Sequence, residues 1–343
     1  MKPLIRSSKR KASSQLGLSM IELMVSMAMG LFLMAGLIGV VVSSQTANRM
    51  VSNIGAMQEN GRFATDFLAQ SITMADHWGG VERSEVDMAS GLVSSTGSCD
   101  GAWITDLSDS VRGYEGANTI ALVPDFPNGC ISVAQYQPGT DLLTLKYAGT
   151  SGMADDHSGG DDLNRLYIRS RTGSGATMFK GDSDVSATYP ITDGWVIYPF
   201  VIETYFVSPC SNIGGACDDG IPTLIRQTIH KTSQNATQLN LEPLVENIET
   251  LQFQYGSDSD GNGDVDRFDT AASVPDWTEV QTVRFSILAR TPDEDANFSD
   301  TRSYIHDGYM VSGAASTTIA SAQQTFHRKQ YSRVIQIRNR SRK

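Results

Sequence analysis

The sequence predicts an α+β fold: one long N-terminal α-helix carrying a β-rich globular body of antiparallel sheet. The first observation behind this is an uncharged run over residues 23–42, with no ionisable residue between Glu22 and Arg49. Twenty helical residues rise by roughly 30 Å, the hydrocarbon thickness of a bilayer. The second is an amphipathic continuation of that helix. Met50, Ile54, Met57, Gly61, Ala64 and Leu68 recur at gaps of four and three, with Phe63 and Phe67 widening the apolar face. The third is a change of period further on. In "IETLQFQY" the residues Ile248, Leu251, Phe253 and Tyr255 lie largely on one side, and Val283, Phe285, Ile287 and Ala289 alternate with Arg284 and Ser286, the pattern of half-buried antiparallel strands.

Taken in order, the helix is expected to end near "DHWGG", where Gly79 and Gly80 act as stops. This divides the chain into an N-terminal segment of residues 1–17, a helix over 18–78 and a body over 79–343. Strands are expected at "NTIALV", "LLTLKYA", "RLYIRS", "GWVIYPFVIETYFVS", "TLIRQTIH", "IETLQFQYG", "VQTVRFSILAR" and "YSRVIQIRN". Loops rich in Gly, Ser and Asp are expected over 86–117, 149–163, 171–187, 208–221, 256–276 and 291–320.

The formal net charge is −11, and it is unevenly spread. Of 27 Lys and Arg, five fall in the first 17 residues and seven from residue 328 on, so 15 remain in between against all 38 Asp and Glu. A body this acidic is a poor phosphate binder, and no nucleic-acid contact is expected. The four cysteines, Cys99, Cys130, Cys210 and Cys217, all lie in the body. Behind an export segment, an even count suggests disulfides formed in an oxidising compartment. Four cysteines allow three pairings; the expected one is sequence-local, Cys99 with Cys130 and Cys210 with Cys217. None of the cysteine spacings suits a zinc site.

The strongest chemical motif in the body is "DSDGNGDVDRFD", residues 258–269. As a twelve-residue calcium loop it places Asp258, Asp260 and Asn262 at positions 1, 3 and 5, and Gly263 at the sharp turn. Asp264 stands at position 7 with its backbone carbonyl, Asp266 at 9 and Asp269 at 12. Asp in place of Glu at position 12, and flanking strands in place of helices, make it a stand-alone loop. A bound Ca²⁺ is the expected cofactor, against the alternative of a solvated acidic turn. The acidic stretch 154–163, with His157, has no such register and reads as a solvated loop, as does 292–300. The histidines are scattered, no nucleophile–base arrangement is readable, and no phosphate loop is present, so no enzymatic activity is expected.

The N-terminus carries a second motif. A basic leader, "MKPLIRSSKRKASSQLG", ends in Gly17; Leu18 follows, and Glu22 stands alone at the mouth of the apolar run. The run exceeds the usual 7–15-residue core of a cleaved secretory signal, and a carboxylate in the membrane is costly. The positive leader orients the N-terminus toward the cytoplasm and the body outward. This arrangement resembles a type IV prepilin signal. The resemblance implies cleavage by a prepilin peptidase between Gly17 and Leu18, methylation of the new N-terminus, and a glutamate at mature position five. Leu18 and Ser19 stand where that family usually has Phe and Thr. The implied role of Glu22 is to pair with an N-terminal ammonium as subunits pack, since an unpaired buried charge is expensive.

The stretches "QENGRFATDFLAQSITMADHWG", "ETYFVSPC", "IPTLIRQTI", "VENIETLQFQYGSDSDGNGDVDRF", "VPDWTEVQTVRFSILAR" and "YSRVIQIRNR" extend the resemblance to the PilW-type minor pilins. It implies a pilin-like structural subunit that helps prime type IV pilus assembly and sits near the pilus tip. The implied partners are other minor pilins, the major pilin and a large tip adhesin. The implied location is the inner membrane, then the pilus at the cell surface. The alternatives are a J-type minor pseudopilin of a type II secretion system, and a membrane-anchored periplasmic binding protein.

Overall fold

In the computed structural model, helix α1 runs from Met20 to Met74. The structure describes residues 17, 19–92, 99, 101–150, 165–181, 194–213, 217–232, 237–305, 316–318 and 323–340. Leu18, most of the basic leader, the acidic stretch 154–163 with His157, and the last three residues lie outside them. Two compact units divide the chain, Met1–Ser52 and Asn53–Lys343.

Within the second unit, α1 buries Met57, Gly61, Ala64, Leu68 and Ile72, with Ile54 and Phe67 partly buried. The apolar face is narrower than its sequence pattern suggests. Phe63 is 52 % exposed; it sits on the helix shoulder, beside a groove walled by Pro243, Leu244 and Val245. The helix also stops before the two glycines. Asp76 takes the left-handed conformation at φ 61°, a role glycine usually fills at a helix C-terminus. Its carboxylate is held there by Trp78 Nε1 and Arg340 Nε, each at 2.8 Å, while the Asn339 amide caps the Ala75 carbonyl at 2.9 Å.

The larger sheet contains β1 (Val86–Met88), β2 (Val111–Tyr114), β3 (Leu142–Ala148), β4 (Leu166–Arg171), β5 (Gly175–Lys180), β6 (Val196–Ser208), β7 (Thr223–Thr232) and β8 (Thr237–Glu246). Its order is β1-β5-β4-β6-β3-β2, with β7 bridging the second half of β6 to β8. All pairings are antiparallel except that of β1 with β5. The smaller sheet has the order β10-β9-β11-β14, built from β9 (Ile248–Ser257), β10 (Arg267–Asp269), β11 (Val280–Arg290) and β14 (Arg328–Gln336). A two-stranded ribbon, β12 (Ser303–Ile305) with β13 (Ser316–Thr318), completes the described strands.

One core lies under the second half of α1 and draws on both sheets. Leu143, Leu145, Tyr205 and Leu224 come from the larger sheet, and Leu251, Phe253, Val283, Phe285 and Ile287 from the smaller. At Gly61 the Tyr331 ring of β14 packs directly on α1: a Cβ there would meet it at 2.1 Å.

Several elements differ from the sequence expectation. "NTIALV" is not a strand. Residues Ile120–Leu122 form a 3₁₀ turn that buries Ile120 and Val123 on one side and leaves Leu122 65 % exposed, as three residues per turn require. Strand β8 is not among the expected strands; it contains Pro243, and because β8 pairs only with β7 it is an edge strand, which tolerates a residue without an N–H. Stretches expected as loops hold the short strands β1, β2, β5, β10, β12 and β13. Strand β14 begins three residues before the expected start at Tyr331.

Candidate functional site

Two regions carry the chemistry singled out in the sequence: the start of α1 and the acidic hairpin loop. In the first unit, α1 is long and apolar enough to cross a membrane, with a mean hydropathy of 2.4 over 18 residues and none of that window buried. Its side chains, among them Leu31, Phe32 and Met34, stand exposed all round, as a helix meant for an apolar environment requires. Glu22 is the acidic residue of its first turn, at the end of the helix dipole that favours negative charge. Gly17 is exposed, and among the described residues a Cβ there would meet nothing within 4 Å.

The acidic loop joins β9 to β10 and lies beside the start of β11. The ladder pairs Ser257 with Arg267, and the Asp266 N–H donates to the Ser257 carbonyl at 2.9 Å. The two ends of the loop are thereby pinned side by side. Oxygens of Asp258, Asp260 and Asp266 lie within 4.8 Å of one another. Buried Asp258 organises the turn: Oδ1 accepts from the N–H of Gly261 (2.8 Å) and of Asn262 (3.1 Å), and Oδ2 from that of Gly263 (3.0 Å) and from the Gln281 amide. Burial pushes the Asp258 carboxyl up, but these backbone donors hold it below the usual carboxylate range. Asp266 is held low chiefly by the Ser259 hydroxyl and N–H, at 2.6 and 2.8 Å. Asn262 accepts the Asp264 N–H at 2.7 Å and donates to Asp260 at 3.0 Å.

Asp269 is not part of this cluster. It lies in β10, opposite Tyr255, in an ion pair with Arg267 at 2.6 Å whose angle makes no hydrogen bond. The twelve-residue register therefore breaks after position 9, where the chain re-enters the sheet.

The structure joins Cys99 to Cys130 and Cys210 to Cys217. The first bond fastens two loops that pack with Tyr114, Ile120 and Phe206. The second closes a small loop whose Ser211 and Asn212 N–H groups, with that of Ile221 just beyond it, converge on the Asp219 carboxylate.

Residues 204–339 match the PilW family, described as Type IV Pilus-assembly protein W. No curated protein and no solved structure matches the chain. The matched segment runs from the second half of β6 past the end of β14, so it contains the whole four-stranded sheet and the acidic loop. This supports a PilW-type pilus-assembly protein, acting in type IV pilus assembly with other components of that machinery.

Sequence reasoning missed the role of the basic C-terminal segment. Two of its arginines, Arg328 and Arg340, are paired with buried or nearly buried acids, while Arg333 makes an exposed pair. Arg328 pairs with Glu249 and Asp300, Arg333 with Asp66 on α1, and Arg340 with Asp76. The surplus of carboxylates over the middle of the chain was the available signal, because buried carboxylates need cationic partners.

Proposed function

We propose that this chain is a minor pilin: a non-catalytic subunit that is cut after Gly17, anchored in the inner membrane by α1 and incorporated near the tip of a type IV pilus. The observation that carries this reading is an apolar α1 with one carboxylate in its first turn, on a chain whose residues 204–339 match the PilW family. Gly17 closes the basic leader immediately before Leu18, where this reading places the peptidase cut. The match also favours pilus assembly over type II secretion. Glu22 then pairs with the N-terminal ammonium of Leu18, on its own chain or on a neighbour, in the packed helices of the filament. Other minor pilins, the major pilin and a tip adhesin are the partners of this reading.

The test uses two variants in the native cell. Gly17→Val should leave the full-length precursor in the inner membrane, and Glu22→Ala should be processed and inserted but depleted from sheared pili. A mature N-terminus near residue 45, or undiminished Glu22→Ala in pili, would overturn the reading.

A further inference from the structure

We propose that residues 258–266 form a nine-residue calcium site, held by the carboxylates of Asp258, Asp260 and Asp266 and closed on its buried side by Gln281. The three carboxylates stand at positions 1, 3 and 9 of the loop, and their oxygens lie within 4.8 Å of one another. Like charges that close repel, and a divalent cation converts the repulsion into attraction. Asn262 and Asp264 occupy positions 5 and 7, where calcium loops supply a side-chain oxygen and a backbone carbonyl. Gly261 and Gly263 take positive φ, 73° and 93°, which lets the chain curl back between these positions.

An independent observation comes from outside the loop. Gln281, on β11, is only 8 % exposed. Its amide nitrogen donates to Asp258 Oδ2, so the amide lies against the cluster. Its oxygen, Oε1, is buried and has no hydrogen-bond partner among the described residues. A buried carbonyl-type oxygen without a donor is unfavourable in a folded protein, and a cation beside Asp258 would satisfy it. The Ser257 hydroxyl, on the residue preceding Asp258, is also buried and without a partner among the described residues.

The donor set selects the metal. Every candidate ligand is an oxygen, several are carboxylates, and the loop is irregular. This suits Ca²⁺, which accepts six to eight oxygens in flexible geometry, and not Zn²⁺, which prefers nitrogen and sulfur. Mg²⁺ demands near-ideal octahedral geometry and sheds water reluctantly. Because the loop joins β9 to β10 and leans on β11, a cation there ties three of the four strands of the smaller sheet.

The experiment uses the full chain in detergent micelles, stripped of divalent ions and titrated with CaCl₂. Equilibrium dialysis with radioactive calcium should give one Ca²⁺ per chain with a Kd of about 10⁻⁴–10⁻³ M. The melting temperature should rise with calcium and not with equal Mg²⁺. Asp260→Asn combined with Asp266→Asn changes two exposed side chains and leaves the Asp258 turn intact; it should weaken binding at least tenfold. Gln281→Met should weaken it several-fold while the apo melting temperature stays near that of the unmutated chain. Absence of saturable binding up to about 10 mM calcium, or unchanged affinity in the Asp260/Asp266 variant, would overturn the site. Unchanged affinity in Gln281→Met would remove Gln281 from it.

Discussion

Replacing Arg340 with methionine leaves the Asp76 carboxylate buried without the guanidinium that balances it. In the native chain Arg340 is 7 % exposed. It donates to Asp76 Oδ2 at 2.8 Å, to Ser110 Oγ at 2.7 Å, to the Val280 carbonyl at 2.9 Å and to the Trp277 carbonyl. Burial pushes the Asp76 carboxyl up, but the Arg340 charge, a hydrogen bond with Ser110 and the Arg83 charge together hold it below its ordinary value of 3.8. Breaking a buried ion pair from one side costs about 3–5 kcal/mol. Arg83, 3.9 Å from Asp76, and the Trp78 indole remain, so the lower half of that range is expected. At roughly 2 °C per kcal/mol for a body of this size, Arg340→Met should melt about 6–8 °C below the unmutated chain. The double variant Asp76→Asn/Arg340→Met should lose less than the sum of the two single changes, by about 2 kcal/mol. The effect has a pH signature. A carboxyl held low in the folded state stabilises it above about pH 4, and that stabilisation is lost as pH falls through the depressed value. The gap between unmutated chain and Arg340→Met should therefore narrow below about pH 4. Thermal melts followed by circular dichroism measure all of this. A variant melting within 1 °C of the unmutated chain at pH 7, or strictly additive single changes, would refute the reasoning.

Three further outcomes follow from the same geometry. Gly61→Leu drives a side chain into the Tyr331 ring, which a Cβ alone would meet at 2.1 Å; it should cost about 1–3 kcal/mol in a denaturant titration, with partial rescue by Tyr331→Ala. Lys146 is buried, its Nζ donating to the Asp106 carbonyl at 2.7 Å and to the Trp103 carbonyl. Burial pushes its pKa down to about 8 against the opposing charges of Asp106 and Asp109. Above pH 8 the unfolded lysine still holds a proton that the folded one releases, so stability should rise from pH 8 to about 9.5, by about 1–2 kcal/mol relative to Lys146→Met. Reducing both disulfides, which close loops with sequence separations of 31 and 7, should cost about 3.7 and 2.5 kcal/mol in the chain-entropy account, read as a lower midpoint in urea with dithiothreitol.

Much of the architecture is legible from local pattern. Helix α1 announces itself through an uncharged run followed by a regular apolar face, and β3, β6, β9 and β11 through dense β-branched and aromatic residues with period-two alternation. These signals depend on residues a few positions apart, which is the range over which backbone conformation is chosen. The acidic loop was equally readable, because its carboxylates sit at fixed short spacings. Its length was not: whether Asp269 belongs to the loop or to the sheet depends on the pairing of β10 with β9, which no local pattern shows.

The sequence by itself determined that an apolar helix, with Glu22 in its first turn, precedes a β-rich body bearing an acidic loop and four cysteines, because each of these is written within one contiguous stretch. Only the tertiary structure decided where the charges go. Arg340 meets Asp76 across 264 positions, and Arg333 meets Asp66 across 267, after β14 has docked on β11. It also decided which residue ends α1, since Asp76 adopts its left-handed conformation where Arg340 and Trp78 reach its carboxylate. And it decided that β8 is an edge, because a strand's place in a sheet is set by its neighbours in space.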